Sequence, residues 1–126
     1  MTISEVIREY NGLRRRPLPP QTVIRIVNGM EDRIKKEIVD HCRDSEDYPF
    51  EGYTEADLET ELIAPRPYDM VYVWAVCYKH DLRENQVQNA SNSYSMMEDI
   101  FGKLASYWIR NHEPKKRQLR DEWRNV

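Results

Sequence analysis

The longest apolar stretch of the chain runs from Met70 to Tyr78, where every side chain is apolar or aromatic. A helix that is apolar on all sides is a buried helix, so this stretch predicts a central helix over residues 67–82. Pro67 suits the first helical turn, and Asp69 places a negative charge near the helix N-terminus. A strand is the alternative, because valine and aromatic residues are good strand formers, but the length without glycine or internal proline favours the helix.

Two helices are predicted before this stretch. Thr2 and Glu5 have the spacing of a capping box, and apolar residues at helical spacing follow them. A short first helix is therefore expected over residues 3–10. A second helix is expected from residue 21 or 22 to about residue 41, because its apolar residues recur at steps of three and four and form one face.

Two positions in the second helix carry expectations of their own. Glu31 belongs to the charged residues that we place on the outer face of this helix. Gly29 costs about 1 kcal/mol relative to alanine in a helix interior, so we interpret it as a point of close packing against a neighbour.

The last long helix is predicted over residues 86–112. Its apolar residues recur at alternating steps of four and three, which is the seam of a helix that packs along another helix. The residues of this seam are Ala90, Tyr94, Met97, Phe101, Leu104 and Trp108. Ile100, Ala105 and Ile109 widen it. Only a short polar link separates this helix from the central one, so we expect the two to form an antiparallel pair.

The predicted fold is a small all-α bundle of about four helices, with a long acidic loop between helices 2 and 3 and an extended C-terminal tail. The loop covers residues 43–66, and one helical turn capped by Thr54 and Asp57 is expected inside it. Residues 43–61 hold eight acids against one base. Loops of this length in a compact domain are usually functional or belong to an interface. The candidate inter-subunit residues of the loop are Asp44, Glu46, Asp47 and Glu51.

The charged tail, residues 115–126, follows the helical domain of residues 1–114. It carries five bases against two acids, and Trp123 is a candidate anchor because tryptophan is enriched at binding hot spots. The acidic middle and the basic end of the chain have complementary charges, which favours head-to-tail pairing between copies. Two separately solvated segments are the alternative. For the tail with Trp123, the alternative to an anchor is a tail that folds back or frays. The candidate partner-binding residues are Lys115, Lys116, Arg117, Leu119, Arg120, Trp123 and Arg124.

Candidate chemistry is sparse. No phosphate-binding glycine loop, zinc-ligand pair or nucleophile–histidine–acid order is present, so we expect neither an enzyme nor a cofactor. His41 and Cys42 are adjacent rather than four apart, which disfavours a metal site. The run from Arg14 to Arg16 is a weak candidate for phosphate; a solvated loop or a pairing with a local acid is the alternative. Two cysteines suggest a reducing cytosolic setting, and no membrane span or signal peptide is expected.

A pattern of residues marks the ends of the last two predicted helices. Pro-Tyr-Asp opens the central helix and an aspartate closes it; Asn-Ser opens the last helix, and an aromatic pair, then Arg, His and Pro, closes it. The matching residues are Pro67, Tyr68, Asp69, Asp81, Asn92, Ser93, Tyr107, Trp108, Arg110, His112 and Pro114. This pattern resembles the head–tail connector, or adaptor, proteins of long-tailed phages and prophages of Gram-positive bacteria. The resemblance covers residues 50–114 well and residues 1–49 loosely, and this chain departs from it in its longer, more charged tail.

The resemblance implies a structural function in the virion. Such connectors form a homo-oligomeric ring, commonly a dodecamer, on the portal protein at one head vertex. The ring extends the DNA channel without sequence-specific DNA binding and gives the neck and tail proteins a docking face. Under this resemblance, the acidic loop with Asp44, Glu46, Asp47 and Glu51 is expected to line the channel or its mouth and to repel DNA phosphates. The implied location is the neck between capsid and tail, after assembly in the host cytoplasm.

Two alternatives remain open at this point. One is another neck or tail-completion protein of the same particle. The other is a small phage DNA-binding protein, similar to the small subunit of a packaging terminase, which would use the residues from Arg14 to Arg16 and the basic tail. The net charge of −3 and the lack of a helix-turn-helix signature disfavour this second alternative.

Overall fold

Four α-helices make up the computed structural model, which describes residues 1–115. They are α1 (Ile3–Leu13), α2 (Pro20–Glu37), α3 (Met70–Arg83) and α4 (Val87–Asn111). No β-strand occurs within residues 1–115, where isolated bridges pair only single residues. The predicted all-α bundle of about four helices is confirmed.

Helix α3 is the central helix, because it packs against each of the other three. Six of its apolar side chains are buried, whereas three are half-buried (Met70, Trp74 and Tyr78) and Leu82 is 48% exposed. The expected start at Pro67 is wrong. The Arg66–Pro67 peptide bond is cis, and residues 66–69 form turns that precede the helix.

The first two helices differ from their predicted lengths at their ends. The capping box of Thr2 and Glu5 is confirmed, and α1 continues to Leu13. Helix α2 ends at Glu37 rather than near residue 41, and the next residues form a short 3₁₀ helix, Val39–His41. Ile38 and Val39 are both buried there, which a single apolar stripe of an α-helix does not predict.

Helix α4 packs antiparallel to α3. Along the pair, Tyr78 lies against Tyr94 and Tyr68 against Tyr107, with ring centroids 5.2 and 5.1 Å apart. The predicted seam of α4 is buried at every position except Tyr94, which is 46% exposed. Ile109, predicted to widen the seam, is also exposed. Tyr78 of α3 thus covers Tyr94 only in part.

The long segment between α2 and α3 is ordered by short 3₁₀ helices, Ser45–Asp47 and Glu55–Asp57. The predicted turn capped by Thr54 and Asp57 is confirmed: each side chain accepts a hydrogen bond from a backbone N–H at the other end of the turn. The segment then pairs with α1, since the Ser4 N–H donates to the Leu58 carbonyl at 3.0 Å.

The carboxylate of Glu31 holds this segment against the bundle. It is fully buried, and it accepts hydrogen bonds from the Tyr72 hydroxyl (2.5 Å), the Tyr53 hydroxyl (2.8 Å) and the Ile63 N–H (2.9 Å). The placement of Glu31 on an outer face is therefore wrong, because residues 53–64 cover the side of α2 that a two-helix contact would leave in water. Burial raises the pKa of Glu31, and the three donors act against that shift.

We predict that Glu31→Ala lowers the free energy of unfolding by about 3 kcal/mol or more, because three buried donors lose their acceptor. Urea unfolding at neutral pH measures the change. The matched control is Glu37→Ala, which removes an exposed carboxylate of the same helix and costs about 0.5 kcal/mol or less. Equal losses for the two variants would contradict the role given to Glu31.

Candidate functional site

An ion pair joins α1, α3 and α4 at one end of the bundle. The guanidinium of Arg14, at the C-terminal cap of α1, donates to both oxygens of Asp81 on α3, at 2.8 and 3.0 Å. The hydroxyl of Ser93 on α4 donates to Asp81 at 2.8 Å and accepts from Arg14 at 3.1 Å. We call these three residues the Asp81 cluster. Asp81 and Ser93 both belong to the residues that carry the family resemblance.

The Asp81 cluster favours an ionised aspartate. Burial works against ionisation, but the hydrogen bonds from Arg14 and Ser93 and the positive charge of Arg14 outweigh it, so the pKa of Asp81 is lowered. Asp81 is only 1% exposed, and its bidentate geometry with Arg14 satisfies both carboxylate oxygens. Removing either partner would leave a buried charge or donor without compensation.

The cluster changes the interpretation of the arginine run. Arg14 pairs with an acid 67 residues away rather than with a local one, and its guanidinium is occupied. Arg15 and Arg16 are exposed and make no ion pair with any residue from 1 to 115. Only these two arginines of the run are therefore left for a phosphate.

The other residues of the resemblance at the start of α3 also pack internally. Asp69 is 3% exposed, and its Oδ2 atom lies 3.7 Å from the Met1 ammonium without a hydrogen bond to a described residue. Tyr68 packs against Tyr107 of α4. The exceptions are Pro67 and Asn92, which are both exposed, and the side chain of Asn92 accepts only a 3.3 Å hydrogen bond from Gln88.

A second cluster lies at the C-terminal end of α4. The ring of His112 stacks on Trp108 with centroids 4.0 Å apart and an interplanar angle of 9°. Tyr48 packs edge-on against Trp108 at 4.9 Å, and the Nδ1 atom of His112 pairs with the carboxylate of Asp44. We call these four residues the His112 cluster. It joins two residues of the family resemblance to the beginning of the acidic loop.

The chain leaves the bundle beside this cluster. The Arg43 N–H donates to the Glu113 carbonyl, and the Lys115 N–H donates to the His41 carbonyl, both at 2.8 Å. Residues 41–43 and 113–115 thus form a short antiparallel pairing. The tail therefore begins next to the acidic loop. The remaining tail candidates, Lys116, Arg117, Leu119, Arg120, Trp123 and Arg124, lie outside the described residues.

The acidic loop divides into paired and unpaired carboxylates. Asp44 pairs with His112, and Glu59 accepts a 2.6 Å hydrogen bond from the Ser4 hydroxyl. Glu46, Asp47 and Glu51, by contrast, are exposed and form no ion pair within the described part of the chain. These three surround Pro49 and Phe50, and we call residues 46–51 the acidic segment.

An apolar groove of about 540 Å³ lies between α2 and α3. Ile26, Met30, Ala75 and Met97 contribute to its floor. Its volume is within the range of about 300–1,000 Å³ that is common for ligand pockets. The sequence did not predict this groove, because it is formed by residues of three different helices.

Gly29 lies at the edge of this groove. It is exposed, and a Cβ atom added to it would have no atom within 4 Å apart from those of its own stretch of α2. The expected close packing against a neighbouring part of the chain is therefore wrong. Because glycine has no side chain, the exposed ridge of α2 is lower at this position than at its neighbours.

The described residues contain no further site of recognisable chemistry. Among residues 1–115, no three His, Cys, Asp or Glu residues are grouped so that they could hold a metal ion. Cys42 and Cys77 are both buried as free thiols, and burial raises the pKa of Cys77 to about 11. No described helix combines the length and the hydropathy that a bilayer crossing requires.

Comparison with known proteins found no matching family model, no matching curated protein and no matching solved structure. The head–tail connector interpretation therefore rests on the residues of the resemblance and on what they do in this fold.

We predict that Asp81→Asn lowers the free energy of unfolding by about 2–4 kcal/mol at neutral pH, because Arg14 loses its charged partner. The loss is smaller than for a fully buried ion pair, since the Arg14 side chain is partly exposed to water. The pKa of Asp81 is lower in the folded than in the unfolded chain. Its stabilising contribution is thus present above the ordinary aspartate pKa of about 3.9, and it disappears as the pH falls through the folded value.

The measurement for Asp81→Asn is urea unfolding of both chains over a pH series. The difference between them should shrink in acid, where the wild type also protonates Asp81. Asp99→Asn is the matched control, because Asp99 forms an exposed ion pair with Lys103 and should cost about 0.5 kcal/mol or less. A difference for Asp81→Asn that is the same at every pH would contradict the assigned ion pair.

Proposed function

We propose that this protein is a structural component of a phage virion: a head–tail connector that forms a ring on the portal protein, extends the DNA channel and docks the tail. The observation that carries the proposal is the position of the resemblance residues. Four of them, Asp81, Ser93, Trp108 and His112, lie in two clusters that fix the α3–α4 hairpin and the point where the tail begins.

The Asp81 cluster supports a rigid hairpin as the body of each subunit. Ser93 and Asp81 hold the beginning of α4 against the end of α3, and Arg14 adds α1 to the same point. Every subunit of a closed ring must repeat the same pair of complementary surfaces, one for each neighbour, which requires helices that do not shift relative to one another. The family pattern has an aspartate and a serine at these two positions, in agreement with such a role.

The His112 cluster supports a defined origin for a partner-binding tail. Trp108 and His112 close α4, and the pairing of residues 41–43 with 113–115 holds the chain at the surface of the bundle. In this proposal the tail, residues 115–126, docks on the portal protein or on a neighbouring subunit. Its five bases make it suited to an acidic surface, and Trp123 is the apolar anchor.

The acidic segment suits the passage of DNA. Glu46, Asp47 and Glu51 are exposed carboxylates without partners in residues 1–115, so they are available to repel phosphates. Basic residues that neutralise phosphates produce the affinity of proteins for DNA, and an acidic channel lining would let DNA slide without sticking. The proposal involves no cofactor and no catalytic step, and it places the protein in the neck of the virion.

The DNA-binding alternative, a protein similar to a terminase small subunit, is less well supported. It relies on the run from Arg14 to Arg16, and Arg14 is engaged by Asp81 inside the bundle. The two arginines that remain exposed form no larger basic patch by themselves, and the tail would have to supply most of the positive charge.

We predict that a chain ending at Lys115 loses binding to the portal protein of the same phage, and that Trp123→Ala weakens binding by about tenfold or more, as loss of a hot-spot residue does. Co-sedimentation with purified portal protein measures both effects. Tyr94→Ala is the control for Trp123→Ala, because it removes a partly exposed aromatic side chain of α4 that is not part of the tail. Circular dichroism of each variant shows whether the helices are retained.

Portal binding that survives truncation at Lys115 would assign the docking surface to the bundle instead of the tail. The DNA-binding alternative would be supported if the protein does not bind the portal but retards a DNA fragment in a gel. Its affinity for DNA should then fall steeply as the salt concentration rises.

A further inference from the structure

The groove between α2 and α3 has a positively charged rim. Arg25 on α2 and Lys79 and Arg83 on α3 all line it, and none of the three forms an ion pair with a residue in the described range. Arg33 also lines the groove, but its guanidinium is used by Glu98 and Glu37 and lies over the ring of Phe101. An apolar floor inside a cationic rim is suited to a segment with apolar side chains flanked by acids.

The chain itself contains such a segment. The acidic segment, residues 46–51, reads EDYPFE, so that Pro49 and Phe50 stand between carboxylates. Phe50 is half-buried beside Tyr53, with ring centroids 5.1 Å apart. The basic tail, by contrast, carries the same sign of charge as the rim of the groove and is disfavoured as its occupant.

The acidic segment and the groove lie on opposite sides of the exposed ridge of α2. Gly29 lines the groove, and it also lines a shallow cleft with Phe50 and Glu51. The segment of one molecule is therefore next to its own groove but separated from it by α2. Consider a second molecule that is related to the first by a rotation of 180° about an axis parallel to α2. Its acidic segment would lie over the groove of the first molecule. By the same symmetry, the acidic segment of the first molecule would lie over the groove of the second.

We propose that two copies of this chain pair across Gly29, with the acidic segment of each copy in the groove of the other. Glu46, Asp47 and Glu51 then face Arg25, Lys79 and Arg83, and the apolar residues Pro49 and Phe50 face the groove floor. The absence of a side chain at Gly29 lets the two α2 helices approach each other, since a Cβ atom there would meet nothing within 4 Å beyond its own stretch of α2.

This pairing is two-fold and isologous, so it differs from the head-to-tail contacts of a closed ring. It concerns the free protein and does not depend on the proposed connector function. If both hold, the pair is the state before assembly, and it keeps the groove and the acidic carboxylates covered until the ring forms.

The first test is the mass of the purified protein by sedimentation equilibrium over a range of concentrations. We expect a monomer–dimer equilibrium that weakens at high salt, because the rim charges are at the surface and are screened. The double variants Arg25→Glu/Arg83→Glu and Glu46→Lys/Glu51→Lys should each weaken self-association by about a hundredfold, because like charges then face each other. Mixing the two double variants should restore a dimer, since their charges are again complementary.

The symmetry has a test of its own. Gly29→Cys should form a disulfide-linked dimer under mild oxidation, because the axis brings position 29 of the two copies together. Gly12→Cys is the matched control, since Gly12 is also an exposed helical glycine with open space around its Cβ position, and it should remain monomeric on a non-reducing gel. The native cysteines are both buried.

Three results would overturn the proposal. A protein that is monomeric at every concentration has no such pairing. Self-association that charge reversal leaves unchanged would show that another surface is used. Equal crosslinking of Gly29→Cys and Gly12→Cys, or crosslinking of neither while the wild type is dimeric, would exclude the two-fold contact at α2.

Discussion

The carboxylate of Asp81 is the point on which the arrangement of the helices depends. A charge buried to this degree is stable only when its oxygens are paired, and Arg14 and Ser93 supply those partners from the end of α1 and the beginning of α4. The interaction therefore fixes three helices relative to one another. Helices α3 and α4 are joined by a link of three residues, and the Asp81 cluster fixes their relative position beside this link.

A second buried carboxylate, that of Glu31, fixes the position of the long loop, as the carboxylate of Asp81 fixes the helices. Glu31 accepts hydrogen bonds from two tyrosine hydroxyls and one backbone N–H, and these bonds hold residues 53–64 against α2 and α3. The part of the loop nearer to α2 is anchored differently, by Asp44 in the His112 cluster. Between these anchors the acidic segment remains exposed, which explains why its carboxylates are free to meet a partner or DNA.

Helix positions, the capping boxes and the antiparallel α3–α4 pair were predictable, because apolar periodicity and helix caps depend on residues that are close in the sequence. The burial of Glu31 was not, since it depends on a loop that covers the outer side of α2. The pairing of Arg14 with Asp81 joins residues 67 positions apart and leaves no periodic trace. Nor was the groove predictable, because it arises from the spacing between helices. The ion pairs and hydrogen bonds of Asp81, Ser93 and His112 appeared only in the fold, because each of them joins residues that are distant in the sequence or lie on different helices.

The most direct test of the proposed function is the mass of the complex that this protein forms with the portal protein of its phage, measured by native mass spectrometry beside the protein alone. The account predicts a defined ring of many copies bound to the portal, larger than any species of the free protein. A protein that stays free in the presence of the portal would contradict the connector function.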